Sequence, residues 1–146
     1  MPSLAFYAVP HLLISEQLRH APLFAALPKD RGDCFAILRE GALFDVPIGQ
    51  QIVAIGEAPA LVVVTSGCVR DSIGQRSWAD GSYFGVAESL ACRPFAAAIT
   101  TVAQTRLYRL DGPLLRSLMT LCPAIADRML DELSPQAQQL VNPYAM

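Results

Sequence analysis

Apolar positions change their spacing twice along the chain. Over residues 15–40 they fall at Leu18, Leu23, Phe24, Leu27, Phe35 and Leu38, interrupted by Pro22 and Pro28. That spacing predicts short helices separated by turns. From Gly41 to about Arg109 the texture becomes short runs rich in β-branched residues, punctuated by Gly49, Gly56, Gly67, Gly74, Gly81 and Gly85. The runs 51–55, 60–65, 68–73, 76–78, 97–102 and 106–110 read as strands. Many short strands at close spacing imply an antiparallel sandwich or barrel rather than a βαβ fold.

Helical periodicity returns at Asp111-Gly112-Pro113, an N-cap aspartate followed by proline in the first turn. Leu114, Leu115, Leu118 and Leu121 then recur at helical spacing. Pro123 opens a second stretch, with Ile125, Met129, Leu130 and Leu133 on one face and Asp127, Arg128, Asp131 and Glu132 opposite. Ser134-Pro135 predicts a kink, and Asn142-Pro143 ends the helix. The expected organisation is an N-terminal tail over 1–14 and one domain over 15–146. Within it lie leading helices (15–40), a β-roll (41–110) and terminal helices (111–142). The fold class is mainly β with flanking helices, an antiparallel β-roll of jelly-roll type.

Composition narrows the function classes. The chain has 146 residues, 53% hydrophobic and 16% charged. Average soluble domains carry about 25% charged residues, so disorder is excluded for the chain as a whole. A net charge of -2 gives no positive field toward DNA or anionic membrane. The N-terminus lacks the basic region and cleavage pattern of a signal peptide. No apolar run approaches the roughly 20 residues of a membrane span. The expectation is a cytoplasmic protein. Cys34, Cys68, Cys92 and Cys122 form no CxxC pair, which argues against a zinc knuckle or a cluster in one loop and for buried small hydrophobes. The two histidines, His11 and His20, lie outside the β-region, so a cupin-like metal site or a Ser-His-Asp arrangement cannot be placed. Asp30, Asp33, Glu40, Asp45 and Glu57 read as scattered turn residues. The chain is therefore read as non-enzymatic.

Several motifs share one resemblance. They are Pro22-Leu23-Phe24 through Leu27-Pro28, Ile48-Gly49 through Ile55-Gly56-Glu57, Ser66-Gly67-Cys68-Val69, Gly81-Ser82-Tyr83-Phe84-Gly85, and Pro94 to Ala97. Together, over residues 18–140, they resemble the cyclic-nucleotide-binding domain of the CRP/FNR superfamily of bacterial regulators. The resemblance implies a regulatory sensor whose ligand sits near residues 84–97, at Phe84, Gly85, Val86, Glu88, Ser89, Arg93, Phe95, Ala96 and Ala97. It also implies signalling through the terminal helix to a homodimer contact along Ile125, Met129 and Leu133.

The family's cassette holds the ligand with a glutamate for the ribose hydroxyl and an arginine for the phosphate. The matching positions here hold Val86 and Phe95, and the following hydroxyl position holds Ala96. A buried phosphate without its cation is costly. The effector is accordingly expected to be a nucleotide-like or apolar small molecule not bound in the usual cAMP manner. Three alternatives stand beside this. One is a degenerate interaction scaffold without a ligand. Another is a shifted nucleotide site using Arg93 and Glu88. The third is a haem-based sensor with His20 as axial ligand. Trp78 and Tyr83 are read as closing a hairpin around Ala79-Asp80-Gly81. Full regulators of the family append a DNA-binding module of roughly 60–80 residues. The chain stops at Met146, so it is expected to act without direct DNA binding, through a partner or as part of a longer regulator.

Overall fold

The computed structural model describes residues 7–8, 18, 21–24, 32–73 and 76–132. Two antiparallel sheets stack with a layer of helices on one side. The first sheet has the order β1-β2-β9-β4-β7, with β1 at Tyr7–Ala8, β2 at Ala42–Val46, β9 at Thr105–Asp111, β4 at Ala60–Ser66 and β7 at Tyr83–Phe84. The second has the order β3-β8-β5-β6, with β3 at Gln51–Val53, β8 at Ile99–Thr101, β5 at Cys68–Asp71 and β6 at Ser77–Ala79. A one-turn 3-10 helix covers Pro22–Phe24, α1 spans Gly32–Arg39, and α2 spans Val86–Ala91. Two terminal helices follow, α3 at Gly112–Leu121 and α4 at Pro123–Glu132. The expected antiparallel roll with flanking helices is present.

The first sheet is the middle layer, which explains the unbroken apolar run of β4. Leu61 and Val63 point to the helices, and Val62 and Val64 to the second sheet. A strand covered on both faces has no polar face to alternate with. Its pairing with β9, from Ala60 opposite Asp111 to Val64 opposite Leu107, is the centre of the fold.

Strand β2 was not among the predicted runs. Asp45 read as a turn residue, but it sits on β2 directly opposite Arg106, and its carboxylate accepts from Nε (2.7 Å) and Nη2 (3.0 Å) of that arginine. The charged residue is thus a cross-strand partner, which the local pattern does not reveal. Tyr7–Ala8, placed in a tail by the sequence, pairs with Asp45 and Phe44 as an edge strand. The expected hairpin at Trp78 and Tyr83 is corrected as well. Strand β6 pairs with β5 and β7 with β4, so this turn carries the chain from one sheet to the other.

The terminal helices close the helical side. Leu115, Leu118, Ile125 and Met129 are each 0% exposed and pack in one cluster with Leu43, Leu61 and Tyr108. This corrects the expected dimer contact, because Ile125 and Met129 belong to the chain's own core and present nothing to a second copy. Leu133 and the expected kink at Ser134-Pro135 lie outside the described residues. Asp111 makes no capping hydrogen bond through its side chain; the helix starts where β9 ends, with Pro113 in its first turn.

Tyr108 ties this cluster to α1. Its ring is buried edge-on to Phe24, and its hydroxyl donates to the Leu38 carbonyl. Burial pushes its ionisation above the ordinary phenol range. Removing the hydroxyl takes one of that carbonyl's two donors and leaves it the Gly41 N–H, so Tyr108→Phe is expected to lower stability by about 1 kcal/mol in a urea titration. The folded state keeps the proton that the unfolded chain loses near its ordinary value of 10.0. Stability is therefore intact below that pH and declines as pH rises beyond it. Tyr108→Phe should flatten that decline, and an unchanged alkaline slope would refute the assignment.

Candidate functional site

The site is built around a backbone reversal at the mouth of the sandwich. After β7 the chain turns at Gly85, with φ 93° and ψ 0°, into α2. Only glycine adopts this conformation readily. A Cβ at Gly85 would lie 1.9 Å from the Ala60 carbonyl oxygen, so β7 and α2 sit directly on β4. Helix α2 ends at Cys92, itself at φ 54°, and the Arg93 N–H donates back to the Glu88 carbonyl at 3.0 Å. The chain then returns toward β8. There Phe95 is clamped by its backbone, its N–H donating to the Glu57 carbonyl (3.0 Å) and its carbonyl accepting from Gly56 N–H (2.8 Å).

These turns frame an open cleft of about 880 Å³. Its floor is aromatic. Phe95 is 3% exposed, with its ring 6.0 Å from that of Phe84 at 71°, and Phe84 lies 4.7 Å from Trp78. Its rim is charged. Arg76 lies with its guanidinium 5.2 Å from the centre of the Trp78 ring and its Nε 3.3 Å from Asp71 Oδ2. The Asp71 side chain is 3% exposed, whereas that of Arg76 is 72% exposed. Arg93, also on the rim, is exposed and Glu88 is half-buried.

Of the residues singled out in the sequence, Phe84, Gly85, Val86, Glu88, Arg93, Phe95, Ala96 and Ala97 line this cleft. Ser89 does not. It is 0% exposed on the face of α2 turned to α3, where its Cβ sits 3.5 Å from a Cβ built at Gly112. Its Oγ has no hydrogen-bond partner among the described residues. A buried hydroxyl without a partner is destabilising. Ser89→Ala should therefore raise stability by about 1 kcal/mol, read as a higher denaturation midpoint. A loss of stability would show that the hydroxyl is satisfied.

Asp71, Arg76 and Trp78 were missed as cleft residues. The alternation of Arg76 and Trp78 on one strand edge was the available signal, but only the crossing between sheets turns that edge to the cleft. Arg116 links the cleft's helix to α3, its Nη1 donating to the Ser89 carbonyl (2.9 Å) and lying 3.0 Å from Cys92 Sγ. The expectation of four buried cysteines holds for Cys34 and Cys122; Cys68 is half-buried and Cys92 exposed. Among the described residues no group of three His, Cys, Asp or Glu is placed to hold a metal ion. No helix among them is long and apolar enough to cross a membrane. His11 and His20 lie outside the described residues, so the haem ligand proposed from the sequence has no place in this description.

No protein-family model matches the chain, and no curated protein matches it either. Solved structures do match. The catabolite activator protein of Thermus thermophilus superposes with a TM-score of 0.62 at 24% identity, over 81% of this chain and 59% of its own. The fold is that of a cyclic-nucleotide-binding domain. The regulatory domain of Toxoplasma gondii PKA, solved with cAMP, matches at 0.62 and 15% identity, over 83% of this chain and 50% of its own. The regulatory subunit of a cAMP-independent protein kinase A from Trypanosoma brucei matches at 0.66 and 14% identity, over 92% and 50%. The chain thus spans little more than half the length of these proteins. In this cyclic-nucleotide-binding fold, the cleft lies on the segment where the sequence resemblance places the phosphate-binding cassette.

Proposed function

We propose that the chain is a non-enzymatic regulatory domain whose cleft receives a small-molecule effector without the cyclic-phosphate contacts of the cAMP mode. The observation that carries this reading is the open cleft whose cassette positions are apolar. Val86 is 2% and Phe95 3% exposed where a buried phosphate and ribose would need a cation and an acceptor. Movement at α2 on ligand binding would reach α3 through Arg116 and pass to the terminal helices, and from there to a partner or to a further segment of a longer regulator. A homodimer, if formed, would use a surface other than Ile125 and Met129. The setting is cytoplasmic.

The competing reading is a ligand-free scaffold, and the packing of Phe95 against Phe84 favours it. Amide chemical shifts recorded against a library of small fragments separate the two. The proposal expects hits whose shifts cluster over residues 84–97 and vanish in Ala96→Trp, a change at an exposed cleft position. Calorimetry with cAMP should show no saturable heat. Fragments that never perturb the cleft amides would establish the scaffold, and saturable cAMP binding lost in Arg93→Ala would establish the shifted nucleotide site.

A further inference from the structure

Depth and charge are arranged in this cleft so that a ligand's polarity can be read. Apart from Asp71, which Arg76 pairs, the deeply buried lining is apolar: Leu23, Val86, Phe95, Ile99 and Phe84, at 1%, 2%, 3%, 3% and 8% exposure. The cations are at the mouth. A ligand that carried its charge to the floor would set it against aromatic rings with no counter-ion, and that orientation is excluded by the cost of desolvating an unpaired charge. The reverse orientation leaves the charge at the solvent edge beside guanidinium groups.

Four ionised side chains line the cleft: Asp71, Arg76, Glu88 and Arg93. Asp71 is buried and engaged by Arg76 through both its side chain and its backbone N–H. This ion pair holds the Arg76 guanidinium over Trp78, so ordering it on binding requires little further loss of freedom. Arg93 makes no side-chain hydrogen bond or ion pair among the described residues, and neither does Glu88. Outside the Asp71–Arg76 pair the charges at the mouth are one exposed guanidinium, Arg93, and the half-buried Glu88, and the paired Arg76 itself stays 72% exposed to a ligand.

We infer that the cleft selects a small aromatic anion bound ring-first, its ring against Trp78, Phe84 and Phe95 and its charge at Arg93 and Arg76. This inference rests on the cleft being a ligand site. A cleft of about 880 Å³ is of the size that accepts drug-sized molecules. A planar ring offset against the aromatic floor gains both buried area and ring contacts. The carboxylate that no arginine pairs among the described residues, Glu88, adds a preference for anions that carry a hydrogen-bond donor near the charge.

Two fluorescent probes with the same rings test it, anilinonaphthalene sulfonate and the uncharged phenylnaphthylamine. The sulfonate is expected to bind about ten-fold more tightly. Arg93→Gln should remove most of that difference and leave the neutral probe unaffected. Ala96→Glu should weaken the sulfonate alone. Arg70→Gln, exposed on strand β5 and outside the cleft lining, should change neither. Equal affinity for the two probes, or a sulfonate affinity indifferent to Arg93→Gln, overturns the inference while leaving a cleft that binds neutral ligands. Displacement of the sulfonate by equimolar cAMP that Arg93→Gln leaves unchanged also overturns it, by making the occupant a nucleotide held through other contacts. Probe binding that Ala96→Phe does not impair would place the probes outside the cleft and would defeat the ligand-site reading as well.

Discussion

Gly85→Ala is expected to destabilise the domain by about 4 kcal/mol, a large share of the roughly 5–15 kcal/mol available to a domain. Two effects combine. The backbone there has φ 93°, a region that side chains rarely occupy, and the new methyl would meet the Ala60 carbonyl oxygen at 1.9 Å. Neither group can yield cheaply, since Ala60 belongs to the central strand β4 and is paired with Asp111. Gly49→Ala is the control. Its φ is 84°, but no atom lies within 4 Å of the added Cβ, so only backbone strain of about 1 kcal/mol is expected. Guanidinium denaturation of both variants separates the contributions. If Gly85→Ala is no worse than Gly49→Ala, the close approach of α2 to β4 is wrong, and with it the placement of the cleft.

Ile125→Ala is expected to cost about 2–5 kcal/mol, with a loss independent of protein concentration. Ile125 is 0% exposed and packs with Leu115, Leu118 and Tyr108 inside one chain. Removing its side chain leaves a cavity in a core that cannot collapse freely around it. A dimer contact would behave differently, because its loss would shift apparent stability with protomer concentration. Thermal melts over a hundred-fold range of concentration decide between them. A concentration-dependent midpoint in the parent chain that disappears in Ile125→Ala would restore the dimer contact read from the sequence.

The same two residues show how far local pattern reaches. The spacing of Ile125 and Met129 states that one face of α4 is apolar and covered, but periodicity does not say by what. Resemblance supplied a partner copy; the structure supplies the chain's own α3 and the one-turn helix at Pro22–Phe24. Ser89 is a similar case. Its place in the cassette segment put it among ligand residues, yet helical geometry turns it to α3, away from Glu88. Asp45 looked like a turn because an isolated carboxylate in an apolar run usually is one. Its partner Arg106 lies 61 residues further on, beyond any local window.

Some features were legible from the residues alone. The element order follows from local causes: glycines at the reversals, proline at helix starts, and a shift of apolar period from helix to strand and back. The resemblance, read before any coordinates, adds that Val86, Phe95 and Ala96 stand where the family has polar cassette residues, which weighs against the cAMP mode. Tertiary structure alone decided which faces meet. It buried Ile125 and Met129 in one chain, brought Asp71, Arg76 and Trp78 into one cleft with Arg93, and set Phe95 as a floor. Those outcomes depend on contacts between segments far apart in sequence, and their energies arise only when the sheets and helices close on one another.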